Sequence, residues 1–357
     1  TVSTPMDVVF VLDTSGSMIK NSSPKASNMV KAVNSSIKNI MSKNPDSRIG
    51  IVTFSEESKN LLPLGNYGTG KDYLTLKKES IIENVKENKS VKVTGGTNTQ
   101  SGIKSGAEML TNVTSTTATV TLKDGTTKTI TRTPLLILVT DGEPTYYYAS
   151  KTATGKVNGH GYTSETDENY YYWTLITAKY YKDQITNKYY QKTDKTAKVF
   201  TIGLGLDGRE AVAMLDPTTE KVNACNNKNS TKQQKALYKL ITNNGKVAPG
   251  AYSYANGSKT GEIEESDLTG FLNTSIDSSL ENEENRAITV EESKARRVEL
   301  GTINEEKEFS LTVGTDSYTS LKAAMNAGYV KKATSTTYYL DLSEISRSTN
   351  VEIVYWN

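Results

Sequence analysis

The sequence predicts an α/β fold: a doubly wound, mostly parallel sheet flanked by helices, followed by a small C-terminal β-rich domain. Short continuous apolar runs, such as Val8–Leu12 and Leu135–Val139, are typical of strands buried on both faces of a parallel sheet. Helical apolar stripes separate these runs, which favours strand–helix–strand units with helices on both faces. Past Glu284 the pattern changes to alternating apolar and polar residues, which indicates β-type segments.

The first predicted strand–helix–strand unit spans residues 8–54. Its opening strand is followed by Ser23-Pro24, a typical helix start, and by an apolar helical stripe from Met29 to Met41. Arg48–Phe54 is the second strand of the unit. We expect a short edge strand to follow at residues 60–64.

The middle of the chain continues this alternation, with insertions expected near residues 65–92, 145–170 and 216–232. The first insertion contains a predicted helix, Lys78–Glu87. The other predicted elements are a helix bearing Ile103, Ala107 and Leu110, a hairpin over 118–131, a helix over 173–185, a strand over 197–205, a helix around 237–241, a short strand over 252–255, and a final helix over 266–281 with Ser266 as its cap.

Two domains are expected, an α/β domain over residues 1–281 and a β-rich domain over residues 282–357. Because Thr1 is not an initiator, we expect the chain to be a processed form or a part of a longer protein, and residues outside it could complete the second domain. The strands predicted in the second domain are 287–290, 298–303, 308–313, 338–342 and 351–356.

Charge and composition argue against several classes of protein. Lys and Arg number 42 against 40 Asp and Glu, a net charge of +2, and no basic stripe indicates a nucleic-acid partner. The single cysteine, Cys225, excludes a disulfide scaffold, and one cysteine with the single His160 cannot form a Cys/His zinc site. With no P-loop, and with His160 in a glycine-rich loop, we expect no enzyme. Leu135–Val139 is too short to span a bilayer, so we expect no membrane insertion.

Hard oxygen donors follow three predicted elements of the sheet. Asp13, Ser15 and Ser17 come after the first strand, Thr97 follows Gly-Gly at the start of a helix, and Asp141 ends the central strand. In doubly wound folds these loops meet at the carboxyl edge of the sheet. Carboxylates and hydroxyls suit Mg²⁺, with Mn²⁺ or Ca²⁺ as alternatives, and two charges with three neutral donors leave a position for an incoming carboxylate.

The three motifs together resemble the von Willebrand factor A domain. D-T-S-G-S, G-G-T-N-T and V-T-D-G-E-P match, in order, the three loops of the metal-ion-dependent adhesion site of that family, and the likeness covers about residues 6–281. The resemblance implies that Ser15, Ser17 and Thr97 contact the metal. It also implies that Asp13 and Asp141 bind the metal directly or through water.

The insertions resemble those of A domains at the tips of sortase-assembled pili of Gram-positive bacteria, which small immunoglobulin-like or pilin-type domains often flank. Tyr146, Tyr147 and Tyr148 suit a ligand-binding surface, since aromatic side chains give contact area at low entropic cost. Glu143 is a further candidate ligand contact, or else a group that supports the metal ligands or a bystander. We expect the three tyrosines to lie at the surface and Trp173 to be buried on its helix.

The resemblance implies an extracellular adhesin module that binds a host matrix or cell-surface protein, and so contributes to virulence. The bound partner would supply a carboxylate to the metal. The alternative is a structural or assembly module of a pilus or cell-wall surface protein, in which the metal is stabilising only and other pilus subunits are the partners. Either hypothesis places the chain outside the cell, secreted to the surface or to a pilus of a Gram-positive bacterium.

Overall fold

The computed structural model describes residues 2–69, 71–122, 124–191, 193–206, 208–243, 251–252, 268–279, 282–283, 297–342, 345 and 349–357. These residues belong to two compact units. The larger unit comprises Thr4–Ala118 and Ile130–Glu281, and the smaller comprises Thr1–Ser3, Thr119–Thr129 and Asn282–Asn357. The predicted domain boundary after residue 281 adjoins residues outside the described set and stays a prediction.

Strands and helices are interspersed through the first two thirds of the chain. The strands are β1 (Val2–Ser3), β2 (Met6–Asp13), β3 (Arg48–Phe54), β4 (Ser58–Gly65), β5 (Leu74–Lys77), β6 (Ile81–Asn84), β7 (Lys89–Lys92), β8 (Thr117–Thr121), β9 (Thr127–Thr131), β10 (Thr133–Thr140), β11 (Tyr147–Tyr148), β12 (Val157–Asn158), β13 (Lys198–Gly203), β14 (Asn282–Glu283), β15 (Arg297–Gly301), β16 (Ser310–Val313), β17 (Asp316–Tyr318), β18 (Val330–Lys332), β19 (Tyr338–Asp341) and β20 (Val351–Val354). The helices are α1 (Lys25–Lys43), α2 (Thr99–Thr111), α3 (Glu168–Tyr189), α4 (Arg209–Leu215), α5 (Thr219–Ala224), α6 (Lys232–Asn243), α7 (Leu268–Ser279) and α8 (Leu321–Asn326).

A five-stranded sheet in the order β13-β10-β2-β3-β4 organises the larger unit. The first four strands are parallel and the edge strand β4 is antiparallel, so the predicted mostly parallel sheet is confirmed. Every residue of β2 and of β10 is buried, because helices cover both faces. Val8, Phe10 and Leu12 join the core formed with α1 and α7, whereas Val9 and Val11 join the core formed with α2 and α3.

The first insertion is a small antiparallel sheet, β5-β6-β7, and the predicted helix at Lys78–Glu87 is wrong. Ile82 of β6 is buried against the core around α1, and burial alternates along that strand with the period of a strand. The turn between β5 and β6 holds Lys78 and Glu79 at φ 50° and 59°, in the left-handed region that ends any right-handed helix.

Helix α3 buries a different face from the one expected. Tyr170, Tyr171 and Tyr181 are buried, whereas Trp173 is only half-buried, so the prediction of a buried tryptophan is wrong. Tyrosine can be buried here because its hydroxyl finds polar partners inside the fold. The Tyr181 hydroxyl, for example, donates to the Thr152 carbonyl over 2.8 Å.

The smaller unit contains two three-stranded antiparallel sheets, β15-β19-β18 and β17-β16-β20. Its apolar core includes Leu300, Phe309 and Leu311. Four of the predicted strands are present as β15, β16, β19 and β20, while β17, β18 and α8 were not predicted. The predicted hairpin is also present, as β8 and β9. The predicted strands at 252–255 and 287–290 and the cap Ser266 lie partly or wholly outside the described residues.

Helix α2 packs closely against the sheet at two glycines. The loop that carries Thr97 leads directly into this helix, so the contact also positions that loop. A Cβ atom on Gly106 would lie 2.4 Å from Val11 Cγ2, and one on Gly102 would lie 2.5 Å from Phe54 Cδ1. Both distances are too short for real atoms, so any larger residue would push the helix away from the strands.

We expect Gly106→Ala to lower the free energy of unfolding by about 1–3 kcal/mol, because overpacking outweighs the better helix propensity of alanine. Urea denaturation measures the change. The matched control is Gly270→Ala in α7, where a Cβ meets no atom within 4 Å and stability should rise by up to about 1 kcal/mol. Equal stability of the two variants would contradict the close approach of α2.

Candidate metal-binding site

The register of the sheet brings the first and the third predicted loops together at one edge. Leu12 of β2 pairs with Val139 of β10, so Asp13 and Asp141 leave neighbouring strands at nearly the same level. The loop between β7 and α2 is joined to the loop after β2 by two main-chain hydrogen bonds, Gly16 N–H to the Gly95 carbonyl (3.0 Å) and Thr94 N–H to the Thr14 carbonyl (2.9 Å). All three predicted loops therefore meet at the carboxyl edge of the sheet.

Four of the five predicted metal ligands take part in a short network of hydrogen bonds. The Ser17 hydroxyl donates to Asp141 Oδ1 over 2.9 Å, and the Ser15 and Ser17 hydroxyl oxygens are 3.1 Å apart. Asp13 accepts from the Ser15 N–H through Oδ1 (2.8 Å) and from the Thr140 hydroxyl through Oδ2 (2.7 Å). Local turns and the neighbouring strand thus fix the orientation of both carboxylates before any ligand arrives.

The electrostatics of the pair favour a bound cation. Asp13 is fully buried and Asp141 is 5 % exposed, so little water reaches either carboxylate. Burial, and then the charge of Asp141, raises the pKa of Asp13 to about 7, against the opposing effect of its hydrogen bonds from Ser15 and Thr140. A cation between the two carboxylates would relieve both causes.

Thr97, the fifth predicted ligand, is 5 % exposed and is held through its main chain. Its N–H donates to Thr145 Oγ1 over 2.7 Å, and its carbonyl accepts from the N–H groups of Thr145 (2.8 Å) and Tyr146 (3.2 Å). A Cβ on Gly96 would lie 2.6 Å from Thr145 Oγ1, which explains the glycine before Thr97. The loop after β10 therefore holds the loop of Thr97 in place through these hydrogen bonds.

The donor set fits a hard divalent cation. It consists of the Asp13 and Asp141 carboxylates and the Ser15, Ser17 and Thr97 hydroxyls, which are oxygen ligands of the kind that Mg²⁺ takes. No group of three or more Asp, Glu, His or Cys side chains is arranged to hold a metal within the described part of the chain. The proposed site has only two carboxylates and so does not form such a group. Its ability to hold a metal therefore depends on the three hydroxyls as well.

A basic residue that was not predicted also reaches this site. The Lys25 ammonium donates to Asp141 Oδ2 over 3.0 Å, and its side chain is 25 % exposed while that of Asp141 is 1 % exposed. The sequence places Lys25 directly after the helix-start signal Ser23-Pro24, but nothing in the pattern indicates that its side chain turns back toward the strand ends.

The candidate ligand contacts, Glu143 and the three tyrosines that follow Thr145, differ in the residues that surround them. Tyr146, Tyr147 and Tyr148 are half-buried rather than exposed, and the ring of Tyr147 packs on Tyr170 with centroids 4.6 Å apart. Glu143, also half-buried, forms a hydrogen bond with the Tyr171 hydroxyl, which helps to raise the pKa of that tyrosine after the larger effect of burial. Their role as ligand contacts stays a prediction.

The segment that carries these tyrosines is fastened to the start of α2. The Tyr148 N–H donates to Gln100 Oε1 over 2.8 Å, and Gln100 Nε2 donates to the Tyr148 carbonyl over 3.0 Å. The buried Gln100 side chain therefore pairs with the main chain of this residue as a neighbouring strand would. The tyrosine-rich segment is thus joined both to Thr97 and to the first turn of α2.

Two further side chains of a reactive type are Cys225 and His160. The thiol of Cys225 is buried, and burial followed by the charge of Glu210 raises its pKa to about 11, which makes it a poor nucleophile. His160 is exposed in its loop. Among the described helices, none combines the length and the apolar character needed to cross a bilayer.

Comparison with known families agrees with the observed fold. The family model of the von Willebrand factor type A domain matches residues 7–240. The chain belongs to this family. Its A domain carries the five-stranded sheet and all three candidate metal loops.

Several solved structures are similar to this A-domain protein at low sequence identity, each with a TM-score below 0.5. The pilus adhesin SpaC from Lactobacillus rhamnosus GG is 18 % identical with a TM-score of 0.44, over 99 % of this chain and 39 % of that chain. The pilus adhesin RrgA from Streptococcus pneumoniae is 13 % identical with a TM-score of 0.39, over 99 % of this chain and 56 % of that chain. The PilB minor pilin from Streptococcus sanguinis is 17 % identical with a TM-score of 0.39, over 72 % of this chain and 64 % of that chain.

The chain thus spans about two fifths of SpaC and just over half of RrgA. No curated protein sequence matches the chain.

Proposed function

We propose that this chain is an adhesin module that binds an acidic group of an extracellular partner through a divalent cation, Mg²⁺ in the first instance. The cation would be held by Asp13, Ser15, Ser17, Thr97 and Asp141. The observation that carries the proposal is the convergence of the two carboxylates and the Ser15 and Ser17 hydroxyls at one edge of the sheet, over the distances given above. When bound, the cation supplies Lewis acidity toward a foreign carboxylate.

The charge balance of the site favours adhesion over catalysis. Two carboxylates neutralise a divalent cation only formally, and three neutral hydroxyls leave it with strong affinity for another anion. Ser17 is exposed, so a partner can reach the site from solvent. We therefore propose binding rather than catalysis as the activity.

The partner we propose is a host matrix or cell-surface protein that presents an Asp or Glu side chain. Half-buried Tyr146 is suited to contact it, because that residue is directly fastened to Thr97 through its main-chain N–H. The resemblance of the insertions to those of pilus-tip A domains leads us to propose a location on the surface or pilus of a Gram-positive cell. The competing hypothesis is a structural module in which the metal stabilises the domain and binds no partner.

Thr97→Val and Thr97→Ser together test the proposal, because both keep the size of the side chain close to that of threonine and only the serine keeps the hydroxyl. We expect Thr97→Val to reduce Mg²⁺-dependent adhesion of protein-coated beads to a surface of host extracellular-matrix proteins by about tenfold or more. Thr97→Ser should adhere nearly as well as the wild type, and chelation should abolish wild-type adhesion reversibly.

Different results separate the two hypotheses. Adhesion that survives both chelation and Thr97→Val in a folded protein would overturn the metal-dependent mechanism. Loss of thermal stability on chelation with adhesion unchanged would favour the structural module. Circular dichroism confirms that each variant is folded before its adhesion is compared.

A further inference from the structure

The Lys25 ammonium and a divalent cation would draw on the same carboxylate. Asp141 uses Oδ1 to accept from the Ser17 hydroxyl (2.9 Å) and Oδ2 to accept from Lys25 Nζ (3.0 Å). The ion pair is well shielded from solvent on the carboxylate side, since the side chain of Asp141 is only 1 % exposed. Its Coulomb attraction is therefore less screened than that of a surface pair.

Lys25 stands at an unfavourable position for helix α1. It is the first residue of the helix, where the macrodipole repels cations and where acidic side chains are preferred. The first turn holds no acidic residue, and the N-cap, Pro24, offers no side-chain acceptor; the neutral Ser23 hydroxyl accepts from the Lys25 N–H over 3.4 Å. A residue that breaks a local rule at the edge of a functional site is expected to have a compensating role there. The ion pair with Asp141 is that compensation.

The stem of Lys25 is laid along the protein rather than extended into solvent. It passes the turn after β13, where a Cβ built on Gly205 would lie 3.4 Å from Lys25 Cε and 3.6 Å from Nζ. Gly205 has φ +59°, a conformation that favours glycine and brings the main chain close to this stem. The lysine thereby connects the start of α1 with the loops that follow β10 and β13.

We propose that Lys25 is an internal counter-cation of the metal site, which competes with the divalent cation for Asp141 and so sets the metal affinity. The inference rests on the metal site of the proposed function. When both carboxylates are ionised, one ammonium reduces their net charge from −2 to −1, so a divalent cation gains less attraction and also meets repulsion from Lys25. A flexible lysine stem lets the ammonium move toward solvent as the metal enters, which a rigid arginine fork would hinder.

Lys25→Met tests this role, because methionine keeps an unbranched apolar stem and removes the charge. We expect Lys25→Met to bind Mg²⁺ at least about tenfold more tightly than the wild type by isothermal titration calorimetry, a modest share of the repulsion between charges a few ångströms apart. In chelator, the melting temperature of Lys25→Met should be lower than that of the wild type, and saturating Mg²⁺ should remove the difference. Lys31→Met, at an exposed site of the same helix, is the control and should change neither quantity.

Lys25→Gln is a second variant in case Lys25→Met does not fold, since glutamine keeps a polar donor without the charge. The Lys25→Gln protein should also bind Mg²⁺ more tightly than the wild type. Unchanged or weaker Mg²⁺ affinity in either folded variant, with wild-type binding intact, would overturn the role of Lys25 and leave the proposed function standing. Absence of Mg²⁺ uptake by the wild type would instead overturn the metal site itself, and the inference with it.

Discussion

Replacing Asp141 by asparagine is expected to lower the affinity of the protein for Mg²⁺ by at least about 100-fold. Asp141 supplies one of the two negative charges of the site, and a neutral amide is a much weaker ligand for a hard cation. The change also removes the charged acceptor of the Ser17 hydroxyl, whose hydrogen bond to Oδ1 is 2.9 Å long. The neutral amide oxygen of asparagine accepts this hydrogen bond more weakly, so Ser17 would be held less firmly as well.

Calorimetric titration with Mg²⁺ measures this loss, and thermal unfolding provides a second measurement. Wild-type protein in Mg²⁺ at 100 times its Kd should gain about 2.7 kcal/mol of stability, whereas Asp141→Asn should gain almost none at the same concentration. The control is Asp194→Asn, an exposed aspartate ahead of β13 and thus toward the opposite edge of the sheet. Equal Mg²⁺-dependent stabilisation of the two variants would refute the assignment of Asp141.

Arg48→Leu is expected to lower the free energy of unfolding by about 3–5 kcal/mol at neutral pH. Arg48 holds the fully buried carboxylate of Asp7 with two hydrogen bonds, from Nε over 2.7 Å and from Nη2 over 2.6 Å. Tyr189 donates to the same carboxylate over 2.6 Å, and burial followed by the charge of Asp7 raises the pKa of this tyrosine well above its ordinary value. Without Arg48 a buried charge would keep mainly a neutral donor and the more distant Arg132, 3.9 Å away.

Urea denaturation provides the measurement, with Lys77→Met as the control. Lys77 pairs with Glu83 over 2.6 Å with its side chain 53 % exposed, so removing that pair should cost less than about 1 kcal/mol. Because Asp7 lies at the amino end of β2, away from the metal edge, Arg48→Leu should leave the Mg²⁺ affinity of the folded protein unchanged. A loss of stability no larger than that of the control would show that the buried pair is dispensable.

The sheet and the positions of the metal loops could be predicted because both depend on local signals. Runs such as Leu135–Val139 are short and uniformly apolar, which is typical of a strand covered on both faces, and a parallel sheet brings the ends of such strands to one edge. Asp13 and Asp141 follow directly on two of these strands, so their proximity results from the pairing of Leu12 with Val139.

The parts that were missed depend on tertiary contacts. The first insertion has short strands with few apolar residues, and its turn uses left-handed Lys78 and Glu79, residue types that carry no turn signal. The partnership of Asp7 with Tyr189 joins residues 182 positions apart, so no pattern within either segment indicates it. For the same reason the reach of Lys25 to Asp141 could be found only from the structure.

The fastening of the tyrosine-rich segment to Thr97 and Gln100 has a mechanical consequence. Thr145 and Tyr146 bond the main chain of Thr97, and Tyr148 makes two further bonds with Gln100, so one short stretch is joined to the start of α2 at two levels. Under the proposed function, a tensile force on a partner bound to this segment would act on these hydrogen bonds together rather than in succession. Detachment under flow would then require the hydrogen bonds of the tyrosine-rich segment to Thr97 and to Gln100 to break at the same time.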